Sequence, residues 1–287
     1  MRKQSRAPHW ICAALLVSVL AVQPAARSAR VPHAKVDLVA DLTAVPPGGD
    51  ATIGVRFTLD PGWHIYWRNP GDSGGAPGVK WATPPELTAG ELQWPAPEIF
   101  SAPGDTTYGY QNNAMLLVPL KYAGKSAGTT LPIEASVDYQ VCKDICVKET
   151  AHATLTLATG AGQPSAAAQD IKTARERLPM PMPPTWKASA AREAAELVIT
   201  IDTGQRESAG TFLPYIPAVL ETDGQHAEPL PSGLRIRAKT LGAVPPMIEG
   251  LLIRPGGKAI EIRVNPGPKG PGLRSQIRYF AFATTSI

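Results

Sequence analysis

The chain has 287 residues, of which 28 are Lys or Arg and 24 are Asp or Glu, and 44% of the residues are hydrophobic. The hydrophobic share excludes a disordered chain, and the small, unclustered excess of basic residues excludes a nucleic-acid-binding footprint. The 30 Pro and 26 Gly are scattered between short alternating segments, which is typical of an all-β protein with many turns.

The first 29 residues have the pattern of a secretory signal peptide. Three basic residues precede an apolar run from Trp10 to Val22, and small residues follow as far as Ala29. The run is shorter than the about 20 apolar residues of a spanning helix, so an uncleaved anchor is the less favoured alternative. We expect Cys12 to be discarded with this segment. The sequence therefore predicts an exported, periplasmic protein whose mature chain has no stable membrane insertion.

Removal of this segment leaves 24 basic and 24 acidic residues, so the mature chain is close to neutral. About 258 residues remain, enough for two domains that each bury a core. Alternating apolar residues predict strands over 34–45, 51–60, 115–122, 131–141 and 147–158. The stretch 61–113 is dense in Pro, Gly and aromatic residues and is expected to be rich in loops.

Residues 159–185 have the composition of a linker, with a short helix over 166–178 that a run of prolines ends. Further strands are predicted over 197–201, 234–238, 250–253, 259–264 and 276–283. Pro255-Gly256-Gly257 predicts a hairpin turn between two of them. The expected organisation is a first β domain over 30–158, this linker, and a second, smaller β domain over 186–287.

The segments 131–141 and 147–158 match each other as a β-hairpin. Pairing Cys142 with Cys146 across a three-residue loop aligns the apolar faces almost throughout, and a one-residue slip would spoil both faces. Directly opposed Cβ atoms lie about 4.5–5.5 Å apart, which a small twist reduces to disulfide distance. Both cysteines have even numbers, as the residues of the polar face do. We therefore expect the pair to lie on the solvent side, within reach of another protein's thiol.

The role of this pair has three possible interpretations. A structural staple that closes about five residues would contribute only about 2 kcal/mol, which favours a redox-active pair. Tetrahedral zinc needs two more ligands than the pair supplies, and no second cysteine pair exists. A Cu(I) site needs fewer ligands and prefers sulfur, and Met180 and Met182 are available, so copper binding stays open.

Other residues carry weaker signals. Sandwich packing with a surface rim is the favoured explanation for most of the aromatic segment 63–68. The segment 105–110 is either a loop that covers the cysteines or an ordinary connection. Asp138 is expected near the thiols, where a carboxylate would tune their pKa, although a solvated face has the same pattern.

Several segments together resemble the N-terminal periplasmic domain of the DsbD family of thiol:disulfide interchange proteins, in its suppressor-of-copper-sensitivity (ScsB-like) branch. The resemblance covers roughly residues 35–158, and the second domain resembles more loosely the extra β domain of that branch. The segments that carry it are Gly62-Trp63-His64-Ile65-Tyr66-Trp67-Arg68-Asn69-Pro70-Gly71-Asp72-Ser73-Gly74, Gln93-Trp94-Pro95-Ala96-Pro97, Tyr108-Gly109-Tyr110 and Val141-Cys142-Lys143-Asp144-Ile145-Cys146-Val147.

The resemblance implies an immunoglobulin-like β-sandwich and a redox role without a cofactor. It implies that Cys146 forms the mixed disulfides with partners and that Cys142 is its internal mate. The expected partners are a membrane electron carrier of the DsbD or CcdA type and thioredoxin-like periplasmic proteins. Any enzymatic activity would be thiol:disulfide exchange that depends on these partners.

The resemblance also implies supporting residues around the pair. Tyr108 matches a tyrosine of the family's cap loop, Asp105 matches the start of that loop, and Tyr66 matches an aromatic residue beside the cysteines. Better-known members carry Phe at the cap tip, where this chain has Thr107, so shielding of the pair is expected to differ. The leading hypothesis is a periplasmic electron relay; the alternatives are a copper-binding or copper-tolerance protein and an adhesion-like β protein with a structural bridge.

Overall fold

The computed structural model describes residues 32–256 and 258–267, and in this part the chain forms eighteen strands and one helix. The first eleven strands are β1 (Ala34–Ala40), β2 (Ala44–Val45), β3 (Asp50–Leu59), β4 (His64–Gly71), β5 (Gly78–Ala82), β6 (Leu87–Ala89), β7 (Glu98–Ala102), β8 (Asp105–Gln111), β9 (Asn113–Tyr122), β10 (Thr130–Cys142) and β11 (Cys146–Thr159). The predicted signal peptide and the strand predicted over 276–283 lie outside the described residues.

The later elements are the helix α1 (Ala168–Glu176), then β12 (Lys187–Glu193), β13 (Glu196–Asp202), β14 (Thr211–Pro214), β15 (His226–Leu230), β16 (Gly233–Lys239), β17 (Ile248–Ile253) and β18 (Ile260–Val264). The all-β class is thereby confirmed. The predicted hairpin turn after Ile253 joins the paired strands β17 and β18.

The first eleven strands form a sandwich of two sheets. One sheet has the order β1-β3-β9-β6, and the other has the order β2-β11-β10-β4-β8-β7, with β5 pairing β10 beside β4. Inward residues of β3 such as Ile53, Val55 and Phe57 are fully buried between the sheets. Alternation of such residues with polar ones is what each strand needs when one face meets the core and the other meets water.

The expectation of a loop-rich stretch over 61–113 is wrong, because five strands, β4 to β8, lie within it. Strand β4 does not alternate between buried and exposed residues, since the consecutive residues Ile65, Tyr66 and Trp67 are all buried. Its pairing with β8 also shifts register between Tyr66 and Gly71, which interrupts any period-2 pattern.

The segment after β11 packs on the first sandwich. Helix α1 lies where a helix was predicted, and it buries Ile171 and Ala174 against Leu117 of β9. Asp170 in its first turn and Arg175 in its last turn complement the helix dipole.

The last seven strands form a second, smaller sandwich. Its sheets have the orders β12-β13-β16-β15 and β14-β17-β18. Both sandwiches belong to one compact unit that begins at Pro32. Leu213, Leu251 and Ala259 of the second sandwich join the buried apolar cluster of the first, so the two cores are continuous at this point.

Candidate redox site

The hairpin β10–β11 places Cys142 opposite Cys146. Its register runs without a slip from Thr130 opposite Ala158 to the two cysteines, as the sequence pattern predicts. The backbone N–H of Lys143 donates to the carbonyl of Ile145 at 3.1 Å and closes the turn. The cysteines form a disulfide with their Cα atoms 4.2 Å apart.

The two cysteines differ sharply in exposure. Cys142 is 1% exposed, whereas Cys146 is exposed and the neighbouring Ile145 is 61% exposed. Strand β4 pairs with β10 at Cys142 through His64, whereas β11 is the edge of the sheet at Cys146. Both cysteines have the parity of the polar face, from which we expected both sulfurs to be accessible to a partner. Only Cys146, on the edge strand, is exposed.

Tyr66 contacts the exposed cysteine. Its hydroxyl lies 3.6 Å from Sγ of Cys146, although the tyrosine is only 1% exposed. Gly74 packs flat on the ring, because a Cβ at that position would lie 2.1 Å from the ring carbon that carries the hydroxyl. Burial raises the pKa of Tyr66, a hydrogen bond with Ser73 partly offsets this, and the charge of Asp105 adds to the rise. The phenol is therefore a fixed donor at neutral pH.

His64 lies beside the buried cysteine. It is the directly opposed partner of Cys142, so both side chains point to the same face of the sheet. Its ring centroid lies 5.2 Å from that of Tyr66 and 5.2 Å from that of Phe100. Nε2 of His64 is buried and has no hydrogen-bond partner among the residues that the structure describes. Burial lowers the pKa of this imidazole, against a smaller opposing effect of Asp105.

A hairpin formed by β7 and β8 flanks the site, and we call it the cap hairpin. Its turn is at Pro103 and Gly104, and Gly104 has a positive φ of 76° that suits glycine. Thr107 lies inside β8, buried and paired with Phe100, rather than at the turn. The aromatic ring that reaches the site from the cap hairpin is that of Phe100.

Asp105 begins β8, at the point where the resemblance places the start of the cap. Its Oδ2 accepts a hydrogen bond of 3.3 Å from the hydroxyl of Ser73, which precedes Gly74 in the chain. Because Gly74 packs on the ring of Tyr66, Asp105 and Ser73 are held close to the residue that contacts Cys146.

Tyr108 lies on the other face of the cap hairpin. Its ring is buried, meets Trp67 edge-on at 6.5 Å, and faces the sandwich core rather than the disulfide. Burial raises the pKa of Tyr108 to about 12, and the charges of Asp72 and Asp223 contribute. Its hydroxyl is therefore near the second sandwich, since Asp223 belongs to the loop before β15.

Asp138 lies four residues before Cys142 on β10, on the exposed face. It accepts hydrogen bonds from Thr150 at 2.7 Å and from Lys80 at 3.3 Å, and both lower its pKa. Four residues of strand span about 13 Å, so this carboxylate is not brought to the sulfurs.

Residues 33–158 match the sequence family described as "Thiol:disulfide interchange protein DsbD, N-terminal". This segment is a DsbD-type N-terminal domain. The chain also shares its fold with the N-terminal periplasmic domain of ScsB from Proteus mirabilis, with a TM-score of 0.58 and 17% identity over 82% of this chain and 92% of that chain. That coverage extends beyond residue 158, so the ScsB fold includes the second sandwich. No curated protein sequence matches the chain.

A second solved structure, the N-terminal domain of DsbD from Neisseria meningitidis in the reduced form, is matched with a TM-score of 0.25. The identity is 16%, over 45% of this chain and 90% of that chain. A pair of cysteines joined at a hairpin tip thus lies within the DsbD-type domain of a two-sandwich, ScsB-like fold.

Within residues 32–256 and 258–267, no group of three or more His, Cys, Asp or Glu side chains is arranged to hold a metal ion. Over the same residues, no helix is long and apolar enough to cross a membrane.

Three residues of the site in the DsbD-type domain were given no role at the cysteines in the sequence analysis. They are His64, Ser73 and Phe100. His64 lies opposite Cys142, Phe100 lies beside His64, and Ser73 lies near Tyr66. For His64 a signal exists, because it precedes Tyr66 by two residues and therefore shares its face of a strand. Phe100 carries no such signal, because only the pairing of β7 with β8 brings it to the site.

Proposed function

We propose that this protein is a periplasmic thiol:disulfide interchange module that relays electrons from a membrane carrier of the DsbD or CcdA type to thioredoxin-like periplasmic proteins. The observation that carries the proposal is the asymmetry of the pair, with Cys146 open on an edge strand and Cys142 buried next to it. A partner's sulfur can approach Cys146 but not Cys142. Cys142 stays within bonding distance of Cys146 and can complete the exchange.

The exchange has two steps that balance. The thiolate of reduced Cys146 attacks a sulfur of the partner's disulfide, forming a mixed disulfide and releasing the partner's other sulfur as a thiolate. Cys142, after losing its proton, attacks Sγ of Cys146, so that the internal disulfide forms and the partner's first sulfur leaves. The partner gains two electrons and two protons, and this pair loses them. Reduction by the membrane carrier is the same sequence in reverse.

The comparisons and the sequence support this assignment. The matched family is described as a thiol:disulfide interchange protein, and the ScsB domain is described as periplasmic. The predicted signal peptide agrees with export into a compartment where disulfides persist. The small five-residue loop between the sulfurs stabilises the fold too little to explain the pair as a staple.

The reduction potential of the pair tests the redox assignment. The full mature chain is equilibrated with mixtures of reduced and oxidised glutathione, and with dithiothreitol at lower potentials, and the disulfide fraction is quantified by alkylation and mass spectrometry. We expect a midpoint in the range of exchange proteins, above about −300 mV. A pair that stays oxidised well below this potential is structural, and the proposal then fails.

Trapping the mixed disulfide tests the asymmetry. The Cys142→Ser variant is treated with glutathione disulfide, and it should acquire one glutathione at Cys146 because no internal thiol can displace it. The matched control Cys146→Ser leaves the buried Cys142 and should react far more slowly. Equal rates for the two variants would contradict the assignment of Cys146 as the outward cysteine.

A further inference from the structure

The second sandwich forms direct hydrogen bonds with the start of β8 in the cap hairpin and with the residue that follows β4. The hydroxyl of Thr106 in β8 donates to Oδ1 of Asp223 at 2.5 Å, and the hydroxyl of Thr222 donates to Oδ2 of Asp72 at 2.6 Å. Thr106 is 3% exposed, so the donor of the first of these hydrogen bonds belongs to a buried residue. Both Thr222 and Asp223 lie in the loop that joins β14 to β15, and we call this the clamp loop (residues 215–225).

Asp72 joins three parts of the molecule at this point. The same Oδ2 that accepts from Thr222 also accepts from the backbone N–H of Thr106 at 2.8 Å. The N–H of Asp72 donates in return to the carbonyl of Thr106 at 3.0 Å. The end of β4, the start of β8 and the clamp loop are therefore held together by hydrogen bonds to one carboxylate, which are stronger than those between neutral groups.

Packing fixes the clamp loop to β4 as well. The guanidinium of Arg68 lies 4.2 Å from the ring centroid of Tyr215, and the ring of Trp67 lies 5.8 Å from it. The side-chain amide of Asn69 donates to the carbonyl of Pro214 at 2.7 Å, in a buried position. Because this contact includes a buried hydrogen bond and a cation over an aromatic ring, it is a rigid support and not a loose interdomain contact.

The clamped residues are next to those that reach the disulfide. Asp105, which precedes Thr106, accepts from the hydroxyl of Ser73, whose neighbour Gly74 packs on the Tyr66 ring. Thr107, which follows it, pairs with Phe100, whose ring lies 5.2 Å from His64. Thr106 therefore lies between Asp105 and Thr107, the two residues through which the cap hairpin is connected to the site.

We propose that the second sandwich holds the cap hairpin against the disulfide through the clamp loop, with Thr222 and Asp223 as positioning residues that set how fast the pair reacts. This inference rests on the proposed redox function of the pair. It gives the second sandwich an effect on the disulfide through the cap hairpin. Release of the clamp frees the hairpin, moves Phe100 away from His64 and uncovers the buried Cys142 as a second point of attack beside the exposed Cys146.

The rate of disulfide reduction tests the clamp. The oxidised full chain is mixed with dithiothreitol, which needs no partner protein, and the rate is compared among wild type, Asp223→Ala, Asp223→Asn and the double variant with Thr222→Val. We expect reduction to become about fivefold faster or more in Asp223→Ala, the factor that corresponds to losing one ordinary hydrogen bond. Asp223→Asn should restore the wild-type rate, because its amide oxygen still accepts from Thr106.

Asp202→Ala is the matched control, since this exposed carboxylate of the second sandwich accepts a hydrogen bond from the N–H of Gly204 in its own turn. It should react as the wild type does. Rates within twofold of wild type in Asp223→Ala and in the double variant would overturn the clamp, while the folded state of each variant is verified by its circular dichroism. A wild-type pair that resists reduction altogether would instead overturn the redox function, so the two failures are distinguishable.

Discussion

The hydroxyl of Tyr66 lies 3.6 Å from Sγ of Cys146, although the two residues are 80 positions apart in the chain. A phenol that stays protonated at neutral pH is a hydrogen-bond donor, and a thiolate gains from such a donor. The oxidised pair has no charge to stabilise, so the contact matters most once the disulfide is reduced. Tyr66 is therefore expected to favour the nucleophilic form of the cysteine that meets the partner.

Replacing this tyrosine tests that role. In reduced Tyr66→Phe, the pKa of Cys146 should rise by about one to two units, because a hydrogen bond to a charged group is worth about 1.5–3 kcal/mol and one unit is 1.36 kcal/mol. The pH dependence of alkylation by iodoacetamide measures the change. Tyr122→Phe is a matched control, because its hydroxyl bonds the carbonyl of Ser126 away from the site. An unchanged alkylation profile in Tyr66→Phe would show that the hydroxyl does not stabilise the thiolate.

Gly74 should tolerate no side chain. In Gly74→Ala, the new Cβ would meet the Tyr66 ring at 2.1 Å, and φ of +96° disfavours any other residue by about 1–2 kcal/mol. We expect a loss of about 2 kcal/mol or more in the free energy of unfolding by urea, together with a change in Cys146 reactivity. Gly104→Ala has a similar positive φ but meets no atom within 4 Å, so it should lose only the backbone part. Equal losses in the two variants would argue against the packing of Gly74 on Tyr66.

Phe100 should limit access to the buried cysteine. Truncation in Phe100→Ala removes an aromatic contact with His64 that is worth about 0.5–1.5 kcal/mol. We expect glutathione disulfide to react about twofold to tenfold faster with Cys142 in the background Cys146→Ser. Ile99→Ala is the control, since that residue points to the opposite face of β7 and is 39% exposed. No acceleration relative to this control would mean that the cap hairpin does not shield Cys142.

His64 should make the oxidised protein less stable in acid. Burial lowers the pKa of His64 in the folded state below its ordinary value of 6.5. Between these two values the unfolded chain binds more protons, so this contribution to stability is complete above pH 6.5 and is lost as the pH falls. Urea unfolding from pH 8 down to about pH 5 should show this slope, which His64→Phe removes.

The exposed His226 supplies the control for that measurement. His226→Phe removes an exposed imidazole of the second sandwich and should keep the acid-side slope of the wild type. If His64→Phe kept the slope as well, the imidazole would not be the group that titrates.

The sequence alone determined the hairpin at the centre of the site. Its two strands each have one wet and one dry face, and only one register matches both, so the opposition of Cys142 and Cys146 follows from local pattern. The all-β class, helix α1 and most strands of the second sandwich follow for the same reason. The resemblance in short motifs likewise led to the DsbD-type domain, which the match over 33–158 supports.

The tertiary structure alone decided which sulfur is open. Both cysteines have the same parity, but β4 pairs beside Cys142, whereas no strand of the described residues pairs on the outer side of β11 at Cys146. Sheet order creates this difference, and periodicity does not encode it. The strands within 61–113 were missed because three consecutive residues of β4 are buried and its ladder with β8 shifts register. Residues that meet only through such long-range pairing, including Phe100 with His64 and Thr106 with Asp223, leave no local signal, because the contact depends on how sheets and domains pack rather than on the neighbouring sequence.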